Sequence, residues 1–270
     1  MAWNSNTEQK MEKTEKIAYP ETRKDTVSDN YFGTVVNDPY RWLENDTATD
    51  TENWVKAQNA ITNDYLAQIP FRDKINSRLT ELFDYPRVSA PFRVGDYYFS
   101  YKNDGLQNQS VIYYQKGKDG EEKVFMDPNI MSEEGTVSIG LLGASADNKY
   151  MAYSQSKAGS DWSDIYIREI ESNTLLDDKL EWVKFSGASW YKDGFYYSRY
   201  PKPAPGTELS ADNKNHSIYY HKLGTKQSED KLFYQNEASP NLYHYCNVTE
   251  DKDYLFIYAA TGTDGFETLI

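Results

Sequence analysis

The chain has 270 residues, 39% of them hydrophobic and 26% charged, which suffices for one large β domain or two ordinary domains. Asp and Glu number 42 against 29 Lys and Arg, giving a net charge of −13; no basic stripe offsets that field, so no nucleic-acid partner is expected. No stretch of about eighteen apolar residues offers a membrane span, and a lone cysteine, Cys246, rules out an intrachain disulfide or a cysteine-built zinc site. Cys246 is expected to be a small residue packed near a strand.

Residues 1–16 (MAWNSNTEQKMEKTEK) are polar, without the apolar core of a secretory signal, and are expected to be a disordered tail. The reading is a soluble protein whose compartment, cytoplasmic or periplasmic, stays open. Short extended pieces are expected around Ile17–Pro20 and Tyr31–Val36. Between Pro39 and Phe83 the pattern turns helical. Thr49 and Glu52 form a capping-box pattern ahead of Trp54, Ala57, Ile61 and Tyr65, which recur at helical spacing. Pro70 suits the first turn of a second helix, with Phe71, Ile75, Leu79, Leu82 and Phe83 along one face before Pro86 stops it. Two such helices cannot make a core alone, so residues 17–84 are read as a helical segment that must pack on something else.

From residue 85 the character changes. Aromatic and β-branched runs alternate with Asp, Asn and Gly turns at Tyr97–Lys102, Val111–Gln115, Tyr150–Gln155, Ile165–Ile170, Phe195–Tyr200, Ile218–Lys222 and Tyr254–Ala259. A turn bearing Asp and leading into a Tyr- or Phe-rich strand recurs at Asp96, Asp147, Asp193 and Asp251, at spacings of 51, 46 and 58 residues. A β-sandwich would show no fixed period, whereas propeller blades repeat at about 40–50 residues. The last unit stops within Phe266–Ile270, inside a strand pattern. Residues 85–270 are therefore read as an incomplete β-propeller, and the sequence looks cut.

Asp38-Pro39-Tyr40-Arg41-Trp42-Leu43-Glu44 resembles the N-terminal signature of the prolyl oligopeptidases. Gly159–Trp162, Trp182–Ser186 and the long run Tyr219–Asp230 resemble the same family, so the likeness covers nearly the whole chain from Tyr19. It implies a mainly β fold: a partial seven-bladed β-propeller of about three and a half blades, preceded by the α-helical segment. The family's C-terminal α/β-hydrolase domain would be absent, and with it the helices' packing partner. It also implies a serine-type endopeptidase that hydrolyses short proline-containing peptides after proline, this chain supplying substrate gating and scaffold. Phe233 matches a cavity-lining propeller position where relatives can carry Cys, and Trp162 is the other substrate-contact residue implied; Asp38, Arg41 and Trp42 are read as structural. A non-catalytic propeller-like protein that binds a peptide or glycan remains the alternative.

The family's chemistry needs a Ser in a G-x-S-x-G elbow, a His and an orienting Asp. No such elbow occurs; Gly143–Asp147 lacks the final Gly and reads as a hairpin turn, and Ser189 fails in the same way. His216, His221 and His244, the only histidines, are read as ordinary strand or loop residues. Five residues apart, His216 and His221 should point to opposite faces of a strand and not share a metal. The carboxylates read as solvated turns and faces, none standing out as a pair. No catalytic residue, metal site or cofactor is expected, and this chain alone is expected to be inactive. The Asn-x-Ser/Thr triplets at Asn45, Asn108, Asn215 and Asn247 are read as chance occurrences.

Overall fold

The computed structural model describes residues 17–208, 211–262 and 264–269. The expected tail, residues 1–16, lies outside them. Two compact units divide between Ser77 and Arg78.

The first unit opens with an antiparallel hairpin, β1 (Ser28–Tyr31) and β2 (Thr34–Asn37). Its turn places Phe32 at φ 53° and Gly33 at φ 96°, with the Gly33 amide donating to Asn30 Oδ1 at 2.7 Å. A 3-10 turn at Arg41–Glu44 leads to α1 (Thr49–Ala67). The capping box predicted at Thr49 does not form. Thr49 is already helical, and Ala48, extended at φ −75° and ψ 136°, precedes it without a side-chain cap. Asp50 and Glu52 instead place negative charge in the first turn, where the helix dipole favours it. Helix α2 (Arg72–Phe83) starts two residues after Pro70 rather than at it, and its predicted apolar face is half exposed from Phe71 to Phe83. Among the described residues before Ser77, only Thr51 is buried. Polar and aromatic contacts hold this unit, not an apolar core.

The second unit is the propeller. Blade one comprises β3 (Arg87–Val88), β4 (Phe92–Val94), β5 (Tyr97–Asn103), β6 (Val111–Lys116) and β7 (Lys123–Met126), with β3 and β4 both pairing along β5 as one interrupted strand. Blade two is β8 (Val137–Ala144), β9 (Tyr150–Lys157), β10 (Ser163–Glu169) and β11 (Leu175–Val183). Blade three is β12 (Ser189–Tyr191), β13 (Gly194–Arg199), β14 (Ser217–Lys222) and β15 (Lys231–Tyr234). Three strands of a fourth follow: β16 (Tyr243–Val248), β17 (Leu255–Thr261) and β18 (Asp264–Leu269). Among the described residues every pair is antiparallel and no strand pairs blade four with blade one, so the expected partial propeller is what forms.

The repeating Asp turns link the first and second strands of each blade. The periodicity thus marked every second strand and missed the first ones: β4 and β12 have only three residues, β8 has no aromatic, and β16 was missed despite Tyr243 and Tyr245. These turns are tight: Asn148, Lys192 and Lys252 have φ of 57°, 52° and 67°, and Gly95 has φ 56°. Glycine is required at Gly95, because a Cβ there would lie 2.8 Å from the Asn148 Cβ in the neighbouring turn.

An inner blade is buried on both faces, so its strands are nearly continuous apolar runs. On β9, Met151 and Tyr153 pack with Phe99, Ile112 and Phe125 of blade one. Between them, Ala152 faces the other way with Ile165, Ile167 and Leu180, against Trp190, Phe195 and Tyr197 of blade three. Each such side chain contributes about 1.5–3 kcal/mol through burial.

Candidate functional site at the blade joints

Within the first unit, the Arg41 guanidinium pairs with Asp29 on β1 and with Asp38, the latter at 2.9 Å, tying the hairpin to the 3-10 turn. The Trp42 indole donates to the Arg23 carbonyl at 3.0 Å while the Arg23 guanidinium lies 4.5 Å from its ring centroid. Asp38, Arg41 and Trp42 thus occupy one cluster.

The propeller's histidines take the strand and loop positions read from the sequence, His221 on β14, His244 on β16 and His216 just before β14, but with a burial and bonding that the sequence did not show. All three are buried and bonded at the joints between blades. His221, on β14, is held between two carboxylates: Nδ1 lies 2.7 Å from Asp230 Oδ1 and Nε2 lies 3.0 Å from Asp178 Oδ1 on β11. Asp178 also accepts the Gly224 amide at 2.7 Å, and Asp230 Oδ2 accepts the Tyr197 hydroxyl at 2.7 Å. Burial pushes an imidazole down, but here the bonds to Asp178 and Asp230 outweigh it and His221 is pushed up to about 9. Asp178 is held below the usual carboxylate range: burial opposes this, and the bonds from His221 and Gly224 overcome it. The expectation that carboxylates line only solvated turns fails here, since the side chains of Asp178 and Asp230 are 3% and 0% exposed. A buried charge survives only when paired and hydrogen-bonded, and this pairing spans residues too far apart for a local pattern to betray.

The Tyr219–Asp230 run is the staple of this joint. Gln227 imitates a strand edge, donating to the Glu181 carbonyl at 3.0 Å and accepting its amide at 3.1 Å. Its amide also donates to the Tyr197 hydroxyl at 3.2 Å. Above Asp178 opens a cleft of about 720 Å³, lined by Tyr150, Leu176, Lys179, Leu223, Thr225 and Lys226.

The opposite face of blade three carries the second joint, as the five-residue spacing of His216 and His221 requires. His216 Nε2 lies 2.9 Å from the Lys184 carbonyl, and His216 Nδ1 accepts the backbone amide of His244 on β16 at 2.8 Å. His244 Nδ1 lies 2.7 Å from the His216 carbonyl, and its Nε2 is buried with no partner among the described residues. Burial pushes His216 down to about 4 and lowers His244 as well.

The residues implied to touch substrate stand elsewhere. Trp162 donates from its indole to the Glu208 carbonyl at 2.8 Å, meets Trp182 and Tyr200 edge-on, and carries the Lys184 ammonium 4.1 Å from its ring centroid. Trp182 sits at φ 63°, a strained conformation for so bulky a residue, beside a cleft of about 270 Å³. Phe233 is on β15, the outermost strand of blade three, 52% exposed and edge-on to Tyr196 at 4.9 Å. The serines considered as nucleophiles are engaged structurally. Ser145 donates to Asp147 at 2.6 Å within the β8–β9 turn, as expected for a hairpin, and Ser189 accepts the Val248 amide at 2.8 Å. Burial pushes the Cys246 thiol up to about 12, which makes it a poor nucleophile. No grouping of His, Cys, Asp and Glu among the described residues could hold a metal ion.

The model of the prolyl oligopeptidase N-terminal β-propeller domain matches residues 19–269. The chain belongs to this family. It is 48% identical over 255 residues to the prolyl endopeptidase of Elizabethkingia meningoseptica, covering 94% of this chain and 36% of that protein. It is 36% identical over 279 residues to prolyl oligopeptidase A of Amanita bisporigera, with 91% and 36% covered. Among solved structures, a prolyl endopeptidase studied for inter-domain dynamics superposes with a TM-score of 0.82 at 32% identity, over 93% of this chain and 37% of that one. Galerina marginata prolyl oligopeptidase B bound to a 25mer macrocyclization substrate superposes with a TM-score of 0.73, also at 32% identity, over 90% and 37%. The prolyl oligopeptidase propeller described here thus spans little more than a third of the length of these relatives.

Proposed function

We propose that this chain is the front part of a prolyl-specific serine endopeptidase that hydrolyses short peptides on the C-terminal side of proline. In this reading residues 85–270 form an incomplete propeller that gates access to the substrate. Residues 17–84 pack on a hydrolase domain, where the exposed α2 residues Ile75, Leu79 and Leu82 would be covered. The Ser, Asp and His of the triad would come from the length of the relatives that lies beyond the match. One observation carries the reading: a family match over residues 19–269 in a sequence with no G-x-S-x-G. Phe233 and Trp162 are the propeller side chains offered for peptide contact, and Asp38, Arg41 and Trp42 keep a structural role.

The test is hydrolysis of a proline-reporter peptide by the purified 270-residue chain. No turnover above buffer is expected. Turnover abolished by a serine-directed inhibitor would overturn the proposal.

A further inference from the structure

The joint between blades three and four tolerates only neutral histidines. His216 Nδ1 accepts the His244 amide, so the ring's single proton must sit on Nε2, where it is donated to the Lys184 carbonyl. A second proton would set Nδ1–H against the His244 N–H, donor against donor at 2.8 Å. His244 donates Nδ1–H to the His216 carbonyl, and a second proton would go on its buried Nε2, which has no partner among the described residues. The described side chains that meet the pair bring no compensating charge, and the acidic residue that shares the register of His244 is Glu267 on β18, beyond Ala259. Tyr200 lies tilted over His216 with centroids 4.4 Å apart, Tyr243 and Tyr234 approach the two rings edge-on, and Lys184 turns its ammonium away onto Trp162.

We propose that the His216–His244 pair is an acid-released latch, whose protonation frees β16 and β17 from blade three while the His221 joint keeps blades two and three together. The selectivity follows from partner chemistry. His221 faces carboxylates on both nitrogens and is already doubly protonated, so acid leaves its bonds intact. The lowered proton affinities of both histidines agree with this, and that of His216 places its release between about 6.5 and 4. In that window the opened form binds protons that the closed form refuses, so the latch weakens as pH falls.

Hydrogen exchange on the full chain from pH 7 to 4.5, corrected for intrinsic rates, tests the latch. Protection of the Tyr243–Val248 and Leu255–Thr261 amides should fall by about tenfold per pH unit for each proton taken up on opening, while Tyr150–Lys157 holds. A joint fall of both regions, or no fall, would overturn the proposal. The double variant His216→Gln/His244→Asn keeps an amide donor near each donating nitrogen and removes the titration. Its fourth-blade protection, whatever its starting level, should lose the acid slope; retention of that slope would count against the latch.

Discussion

Blade three is fastened on its two faces by the same side chain under opposite rules. Toward blade two, His221 is clamped by Asp178 and Asp230 and carries charge. Toward blade four, the described partners of His216 and His244 are carbonyls, an amide, tyrosine rings and each other's imidazole, and the pair stays neutral. Burial is nearly equal at the two joints, with His221 and His216 both 0% exposed and His244 1%. Burial alone therefore does not set the state of a core histidine; the acceptors around it do. One joint is an ionic staple added to an apolar interface, whereas the other is a chain of neutral hydrogen bonds.

The largest expected effect separates these two fastenings. His221→Ala leaves Asp178 and Asp230 buried without a cation and should cost about 3–5 kcal/mol of unfolding free energy. His216→Ala removes neutral bonds and should cost about 1–3 kcal/mol. Urea denaturation of both variants at neutral pH measures the gap, and equal losses would erase the distinction. The next effect is alkaline. His221 sits above its unfolded value of about 6.5, so its stabilisation is complete below that pH and is lost as pH rises through about 9. A loss on the order of 2–3 kcal/mol between pH 6.5 and 9.5 is expected, and His221→Gln should flatten that part of the profile. The smallest effect is a control away from both joints. Lys56 and Glu52, paired at 2.5 Å across one exposed turn of α1, should show no measurable coupling in a double-mutant cycle, because solvent screens the pair.

Much of this fold was legible in the chain. The Asp-turn repeat located the second strand of every blade, because that strand is inner, aromatic and preceded by a tight turn. Among the strands not seen, Gly140 and Gly143 break the alternation of β8, Asp177 and Asp178 that of β11, and β4 and β12 are only three residues long. The capping box at Thr49 failed because the chain places Ala48, not Thr49, at the extended entry position. The site was less legible. The 219–230 run carries His221 and Asp230, but the third member, Asp178, lies 43 residues before the histidine on another blade. Two adjacent acids at Asp177 and Asp178 inside a strand pattern were the one available signal. The sequence did separate His216 from His221 onto opposite faces, since strand period alone decides that.

The most direct measurement is the imidazole nitrogen NMR spectrum of the folded chain at pH 8, where an unperturbed histidine is neutral. The structure requires His221 with protons on both nitrogens, His216 protonated only on Nε2 and His244 only on Nδ1. A neutral His221, or a charged His216, would contradict the opposed joints on which this description of the propeller rests.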